Sequence, residues 1–401
     1  MLKSNRRILF VMGALIAANM VNQADRAVMG ILLPLIKVDL SLSDTAMGVL
    51  SGVAFSGVYA VAAFVFGHAA DSRSRTRLIA LGLVLWSLAT AASGLAVDFK
   101  SMFWARFFTG LGEASLYPCA ISLIATTFPQ HRRGRAVGIF GAGATVGSAL
   151  GIAAGGLLAE QFGWRSVFFL YGGVGLFVAP LVLMIGDPPR GPANADGKKL
   201  GAAIGRLLAD RRLQLVWLTS VLGVSGLMGY SIWAAAWFLE TGDMTITELG
   251  YIFGVAMILG GLLGGYGGGA LADNPAIRKR GVEGAVVVGG LVVMAAMLAV
   301  VLWTPWQWMR VGVALLVPIP MLGFFPPLVA LVARLVPAER LGLAFALNVF
   351  FVGGIGNGVG PWLVGAVSDA TGSLQTGISV SLVLMVSAIP VGLAMLRATR
   401  A

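Results

Sequence analysis

The chain has 401 residues, of which 58% are hydrophobic and only 11% charged, with a formal charge of +11 and a mean hydropathy of +0.90. A soluble globular protein carries about 25% charged residues, so this composition excludes one. The basic excess does not point to nucleic acid, because it falls in clusters at the ends of apolar segments, where it sets topology and meets anionic lipid.

In chain order, apolar segments predict helices near 8–36, 44–69, 78–97, 101–127, 135–161 and 164–186. A second set is predicted near 213–240, 248–272, 282–304, 308–333, 341–367 and 375–396. Each crossing takes roughly 20 mostly apolar residues, so twelve of them leave no room for a sizeable domain outside the membrane. Between the sets, the stretch from Asp187 to Lys199 is polar and rich in Pro and Gly, and it reads as a linker. The expected organisation is an all-α membrane protein with six-helix bundles at 1–186 and 213–401, joined by a cytoplasmic linker at 187–212. The N-terminal basic start and apolar run resemble a signal peptide. The apolar character continues through Asp25-Arg26 to Leu35 without a small-residue cleavage site, which predicts a retained helix.

Orientation follows from the basic clusters. These are Lys3/Arg6/Arg7, Arg73/Arg75/Arg77, Arg132/Arg133/Arg135, the stretch Arg190 to Arg212, Arg278/Lys279/Arg280, Arg334/Arg340 and Arg397/Arg400. Placed on alternate loops, they put 22 of the 28 Lys and Arg on one side, with Lys37, Lys100, Arg165 and Arg310 on the other. Cytoplasmic loops retain Lys and Arg, so both termini are expected in the cytoplasm, in a bacterial inner membrane.

The halves echo each other. Gly67 to Asp71 followed by Arg73, Arg75 and Arg77 parallels Gly269 to Asp273 followed by Arg278, Lys279 and Arg280. Phe128-Pro129 with Arg132, Gly134 and Ala136 parallels Val336-Pro337 with Arg340, Gly342 and Ala344. A duplicated six-helix unit typifies one large transporter architecture.

Asp25, Arg26, Arg106 and Glu113 are the charged residues deep inside the predicted segments, away from their ends, and each costs about 2.5–3.5 kcal/mol at the bilayer centre unless it faces protein or water. Asp25 lies twelve residues before Lys37 and Glu113 thirteen after Lys100. At 1.5 Å per residue both sit about 18–20 Å below those markers, and are level. Arg26 joins them, and Arg106 lies two turns outward of Glu113 on the same face. Two carboxylates straddled by two guanidiniums allow one acid to hold a proton, the basis of a proton-coupled switch, or alternatively form an ion-pair lock.

In the second half, Tyr230, Trp233 and Trp237 share one helix face, as a cavity wall or a lipid-facing belt. Asn348 and Asn357 are nine residues apart and about 180° out of phase on an α-helix, so they are not expected to line one cavity. Gly138, Gly141, Gly143, Gly147, Gly151 and Gly155 in helix five, and Gly353 to Gly360 in helix eleven, favour close helix approach.

Over its whole length the chain resembles the major facilitator superfamily. Gly67, Asp71 and Arg75 match that family's Gly-x-x-x-Asp-x-x-x-Arg signature, with Ser72 and Ser74 where a basic residue and a glycine are usual, and Arg106 to Gly110 matches its Arg-x-x-x-Gly signature. More narrowly, Asp25-Arg26, Gly112-Glu-Ala-Ser115, Arg133-Gly134-Arg135 and Gly147/Ser148/Gly151 are similar to the Spinster family. The resemblance implies a functional acid at Glu113, a gating role for Gly67, Asp71, Arg75 and Asp273 as a latch on the outward-open state, and lysolipid or sphingoid cargo.

The expected function is a proton-coupled secondary transporter of an amphipathic, lipid-like solute working by alternating access. The alternative is a proton-coupled symporter of small organic anions such as sugar acids, with Arg26 and Arg106 holding a carboxylate. An enzyme is not expected, since the two histidines, His68 and His131, have neither metal-ligand spacing nor a Ser/His/Asp set. No phosphate-loop pattern is present. No cofactor, metal or nucleic acid is expected, and the default is a monomer in membrane lipid.

Overall fold

A computed structural model describes residues 2–187, 197–242, 244–280, 283–337 and 340–399, and every regular element in them is helical. Twelve helices are long and apolar enough to cross a membrane. They are α1 (Arg7–Asp39), α2 (Asp44–Ala70), α3 (Arg75–Ser93), α4 (Phe99–Thr127), α5 (Arg132–Phe162), α6 (Trp164–Leu183), α7 (Arg211–Thr241), α8 (Ile246–Asp273), α9 (Glu283–Trp303), α10 (Gln307–Leu335), α11 (Leu341–Thr371) and α12 (Leu374–Thr399). Hydrocarbon offers backbone N–H and C=O groups no partners, so each apolar segment satisfies its own as a helix.

Helix ends are set by local chemistry. The Ser74 hydroxyl accepts from the Arg77 N–H and starts α3 three residues earlier than its apolar pattern suggests, which brings Arg75 and Arg77 into the first turn. Asp98 and Ser101 form a reciprocal capping box at the start of α4. The polar linker also contains a helix, Gly197–Ala209, in which Ile204 and Leu207 are shielded while Arg206 is exposed. The Pro- and Gly-rich residues that precede it mask this amphipathic stretch in the sequence.

Two interruptions matter. In α4 the helix breaks between Phe99–Glu113 and Leu116–Thr127. Pro118 has no N–H, so the Ala114 carbonyl four residues earlier lacks its helical donor. In α11 a π segment, Val349–Gly356, lies between Asn348 and Asn357. Its wider turns advance each residue by less than the α-helical angle, so the expectation that the two asparagines point oppositely does not hold.

The described residues form two compact units, one within Met1–Leu42, Ala54–Asn194 and Asp243–Gly254, the other within Ser43–Val53, Ala195–Gly242 and Val255–Ala401. In the first unit α1 and α5 run alongside each other in a strict four-residue register. A side chain added at Gly143, Gly147, Gly151 or Gly155 would meet Ile16, Met20, Ala24 or Val28 at 3.0, 2.4, 2.5 and 2.4 Å respectively. Lipid tails are as apolar as leucine, so helices associate in a bilayer through such small-residue contact rather than through the hydrophobic effect. This ladder holds Asp25 and Arg26 in place. Trp86, Leu83, Leu116, Cys119 and Phe140 fill the adjoining core. Outward-facing apolar residues such as Leu81 and Phe177 are exposed, as hydrocarbon-facing positions require.

Candidate functional site

The four intramembrane charges come together within the first unit. Asp25, Arg106 and Glu113 are buried, and Arg26 keeps 24% of its side chain accessible. Arg26 Nε donates to Glu113 Oε2 at 2.7 Å. Its guanidinium lies over the Tyr59 ring at 4.2 Å and the Phe55 ring at 4.8 Å, themselves stacked at 5.8 Å. Arg106 reaches the same Phe55 ring at 5.2 Å. Asp25 does not pair with its neighbour Arg26; Oδ2 accepts the Thr90 hydroxyl of α3 at 2.8 Å.

Local structure explains these placements. Glu113 is the last residue before the break in α4. Gly112 lets α4 approach α3, since a side chain there would lie 2.7 Å from the Gly82 carbonyl oxygen and 2.8 Å from Trp86 N. The Ser115 hydroxyl then donates to the Gly112 carbonyl at 2.8 Å. The Gly-Glu-Ala-Ser run is thus a close crossing, a charge and a local cap in four residues.

The cluster is electrically balanced but incompletely bonded. Asp25 Oδ1, Glu113 Oε1, and Arg106 Nε and Nη1 are buried without a hydrogen-bond partner among the described residues. A buried polar group left unpaired costs about 1–3 kcal/mol, and more when charged. Such a set is suited to a transient proton or an anionic group that completes it. Phe55, Tyr59 and Thr90 carry no distinguishing sequence signal; an aromatic i, i+4 pair on α2 is common in apolar helices.

The aromatic stripe of α7 belongs to the second unit. Tyr230, Trp233 and Trp237 are all buried, so they do not form a lipid-facing belt. Trp233 Nε1 donates to the Pro361 carbonyl at 2.9 Å, and the Arg310 guanidinium lies over Trp237 at 5.2 Å. Tyr230 Oη and Trp237 Nε1 have no hydrogen-bond partner among the described residues. Asn348 Oδ1 is likewise unpartnered, while Asn357 is half-buried.

Of the residues expected to gate, Arg75 has the richest contacts. It is buried, with Nε donating to Asp187 Oδ1 at 2.9 Å and its backbone N–H to Asp187 Oδ2 at 3.2 Å. Nη1 donates to the hydroxyls of Ser122 and Thr126 at 3.3 and 3.2 Å. The start of α3 is thereby tied to α4 and to the residue beyond α6. The second unit repeats the tie with charges reversed. Glu283 opens α9 and pairs with Arg334 of α10 at 3.3 Å, and Arg334 Nη2 donates to the Thr399 carbonyl of α12 at 3.2 Å. In the sequence Asp187 reads only as the first linker residue. The side chain of Asp71 lies outside the described residues. Gly67 meets only Pro118, 3.9 Å from an added side chain, and Asp273 is exposed with no ion pair among the described residues.

The Major Facilitator Superfamily profile matches residues 15–361. The "MFS-type efflux pump" of Mycolicibacterium smegmatis is 31% identical over 372 residues, covering 91% of this chain and 85% of that protein. "Protein spinster" of Drosophila melanogaster is 27% identical over 390 residues, 90% of this chain and 62% of that protein. Among solved structures, a bacterial homologue of the human lysosomal transporter Spinster, inward-facing and unoccupied, shares the fold with a TM-score of 0.82 at 21% identity, over 98% of both chains.

Proposed function

The chain belongs to the Major Facilitator Superfamily and is an integral membrane transporter rather than an enzyme, and from that premise we propose that it couples proton movement to transport of an amphipathic, lipid-like solute of lysolipid or sphingoid type. The reading has two six-helix bundles, 1–186 and 213–401, alternating access about the linker 187–212. It sits in a bacterial inner membrane with both termini cytoplasmic, on the strength of the basic asymmetry of the loops.

The observation that carries this reading is the balanced quartet of Asp25, Arg26, Arg106 and Glu113, in which the two acids and Arg106 are buried with polar atoms unsatisfied among the described residues. A proton on either acid converts an acceptor oxygen into a donor. An anionic head group on Arg106 satisfies its open N–H groups and weakens its hold on the acids. Either event changes the stability of the other, which is coupling in the thermodynamic sense. The exposed part of Arg26 with Phe55 and Tyr59 gives the site an aromatic side, as an amphipathic solute needs.

A second reading, proton-coupled symport of small organic anions such as sugar acids, is favoured by Arg106 Nε and Nη1, buried donors without a partner among the described residues that a carboxylate would satisfy. Reconstitution in liposomes with lumenal pH recorded distinguishes the two. Lysolipid or sphingoid base driving proton movement supports the first; sugar acid alone doing so supports the second; cargo flux with no proton movement sinks both.

A further inference from the structure

Two acidic residues stand at positions where their own helices disfavour them. Asp369 lies in the last turn of α11 and Glu160 in the last turn of α5. A helix C-terminus carries partial negative charge, so a carboxylate there is repelled by its own backbone.

Each is compensated by the N-terminus of another helix. In the second unit, Asp369 Oδ1 accepts the backbone N–H of Asp44 at 3.0 Å and Oδ2 that of Thr45 at 2.7 Å, while the Ser368 hydroxyl donates to Asp44 Oδ2 at 2.6 Å. In the first unit, Glu160 Oε2 accepts the backbone N–H of Thr247 at 3.0 Å. Thr45 and Thr247 are 202 positions apart, the same interval that separates Asp71 from Asp273, and Asp369 and Glu160 are 209 apart. The two caps are therefore the same contact made twice by the duplicated unit. The interval of 209 is one more than the 208 between Pro129 and Pro337; the π segment of α11 absorbs the extra residue, whereas α5 is α-helical throughout.

Below each cap, backbones touch. Side chains added at Gly48, Gly52 and Gly365 would lie 2.4, 2.4 and 2.1 Å from the carbonyl oxygens of Pro361, Gly358 and Asp44. At the α5/α8 crossing, side chains added at Gly156, Gly250 and Gly254 would lie 2.7, 3.1 and 2.9 Å from the carbonyl oxygens of Ile246, Ile152 and Ala149. The opening turns of α2, Ser43–Val53, consequently pack within the second unit and α8 as far as Gly254 within the first. These crossings have little side-chain interdigitation to hold them, and a charge facing a helix terminus is the directional element at each mouth.

We infer that Asp369 and Glu160 are paired positioning residues of the transport cycle, holding α2 on α11 and α8 on α5 in one alternating state and releasing both together in the other. The inference rests on the transporter reading. It gains force from a physical asymmetry: on release each carboxylate keeps its unfavourable C-terminal position and loses its favourable partner. The caps thus favour one state rather than merely decorating it.

The test is a labelling rate independent of cargo. Ser51 lies between Gly48 and Gly52, and its hydroxyl is buried. With Ser51→Cys as reporter, a membrane-impermeant maleimide added outside reads opening of the α2/α11 crossing; native Cys119 is fully buried and silent. Asp369→Asn and Glu160→Gln each keep an acceptor oxygen and remove only charge. Both should raise the labelling rate about two- to tenfold, as loss of a charge at a helix terminus allows, with the unfolding midpoint unchanged and Asp369→Glu restoring the slow rate. Acceleration by Asp369→Asn alone means local fraying and overturns the pairing. Unchanged labelling in both, with flux lost only in step with thermal stability, overturns the inference altogether. Acceleration in both without flux of any cargo leaves the latch standing and refutes the transport reading instead.

Discussion

Arg26 and Glu113, 87 positions apart, share a 2.7 Å ion pair, whereas Asp25, adjacent to Arg26 in the chain, bonds to Thr90 across 65 positions. The two acids therefore differ in what they hold. Glu113→Gln leaves Arg26 without its carboxylate and should cost about 3 kcal/mol of stability, as breaking one side of a buried pair does. Asp25→Asn leaves a neutral group that still accepts from Thr90 and should be nearly neutral for folding. Both should abolish cargo-driven proton movement in liposomes; an unaltered pH signal in either variant would remove that acid from coupling.

The aromatic platform predicts a graded effect. Tyr59→Phe preserves the ring beneath Arg26, while Tyr59→Ala removes a cation–π contact worth about 0.5–2 kcal/mol. Cargo affinity, read as KM in the flux assay, should be little changed by the first and weakened severalfold by the second.

The α1/α5 ladder makes a sharp positional prediction. Gly147→Leu drives a side chain into the Met20 backbone and should destabilise by about 1–3 kcal/mol, lowering the unfolding midpoint in detergent. Gly141→Ala, with nothing within 4 Å of the added carbon, should instead stabilise by about 0.4–1 kcal/mol. Equal effects at the two positions would mean the helices do not touch in this register.

The tie between Arg75 and Asp187 is buried and many-sided, so a double-mutant cycle with Arg75→Gln and Asp187→Asn should show coupling of about 1–3 kcal/mol. The same cycle on Glu283 and Arg334 should give a smaller value, because one third of the Arg334 side chain is accessible.

Outside the membrane, the Ser101 hydroxyl and N–H hold the Asp98 carboxyl below its ordinary value near 3.8. A group depressed on folding contributes stability above its unfolded pKa, and loses it as pH falls through the folded value. Asp98→Ala should therefore lower the unfolding midpoint at neutral pH, with the gap to wild type narrowing below pH 3.8.

Crossing number, order and the duplicated half were legible in the sequence because they are local: hydropathy is read from windows of about 20 residues, and repeats from short motifs. The identity of the buried charges was legible for the same reason, since Asp25, Arg26, Arg106 and Glu113 interrupt apolar runs. Their partners were not. Whether Arg26 meets Asp25 or Glu113, whether Arg75 meets Asp187, and whether Asp369 caps Asp44 and Thr45 from more than 320 positions away depend on how closely backbones approach. Periodicity marks a helix face but not the neighbour it touches. The depth of Tyr230, Trp233 and Trp237 illustrates the same limit, because a stripe of aromatics has one sequence signature whether it faces lipid or core. Composition determined that this chain crosses a membrane twelve times, and tertiary packing decided which of its few charges find each other, because pairing depends on distance in space.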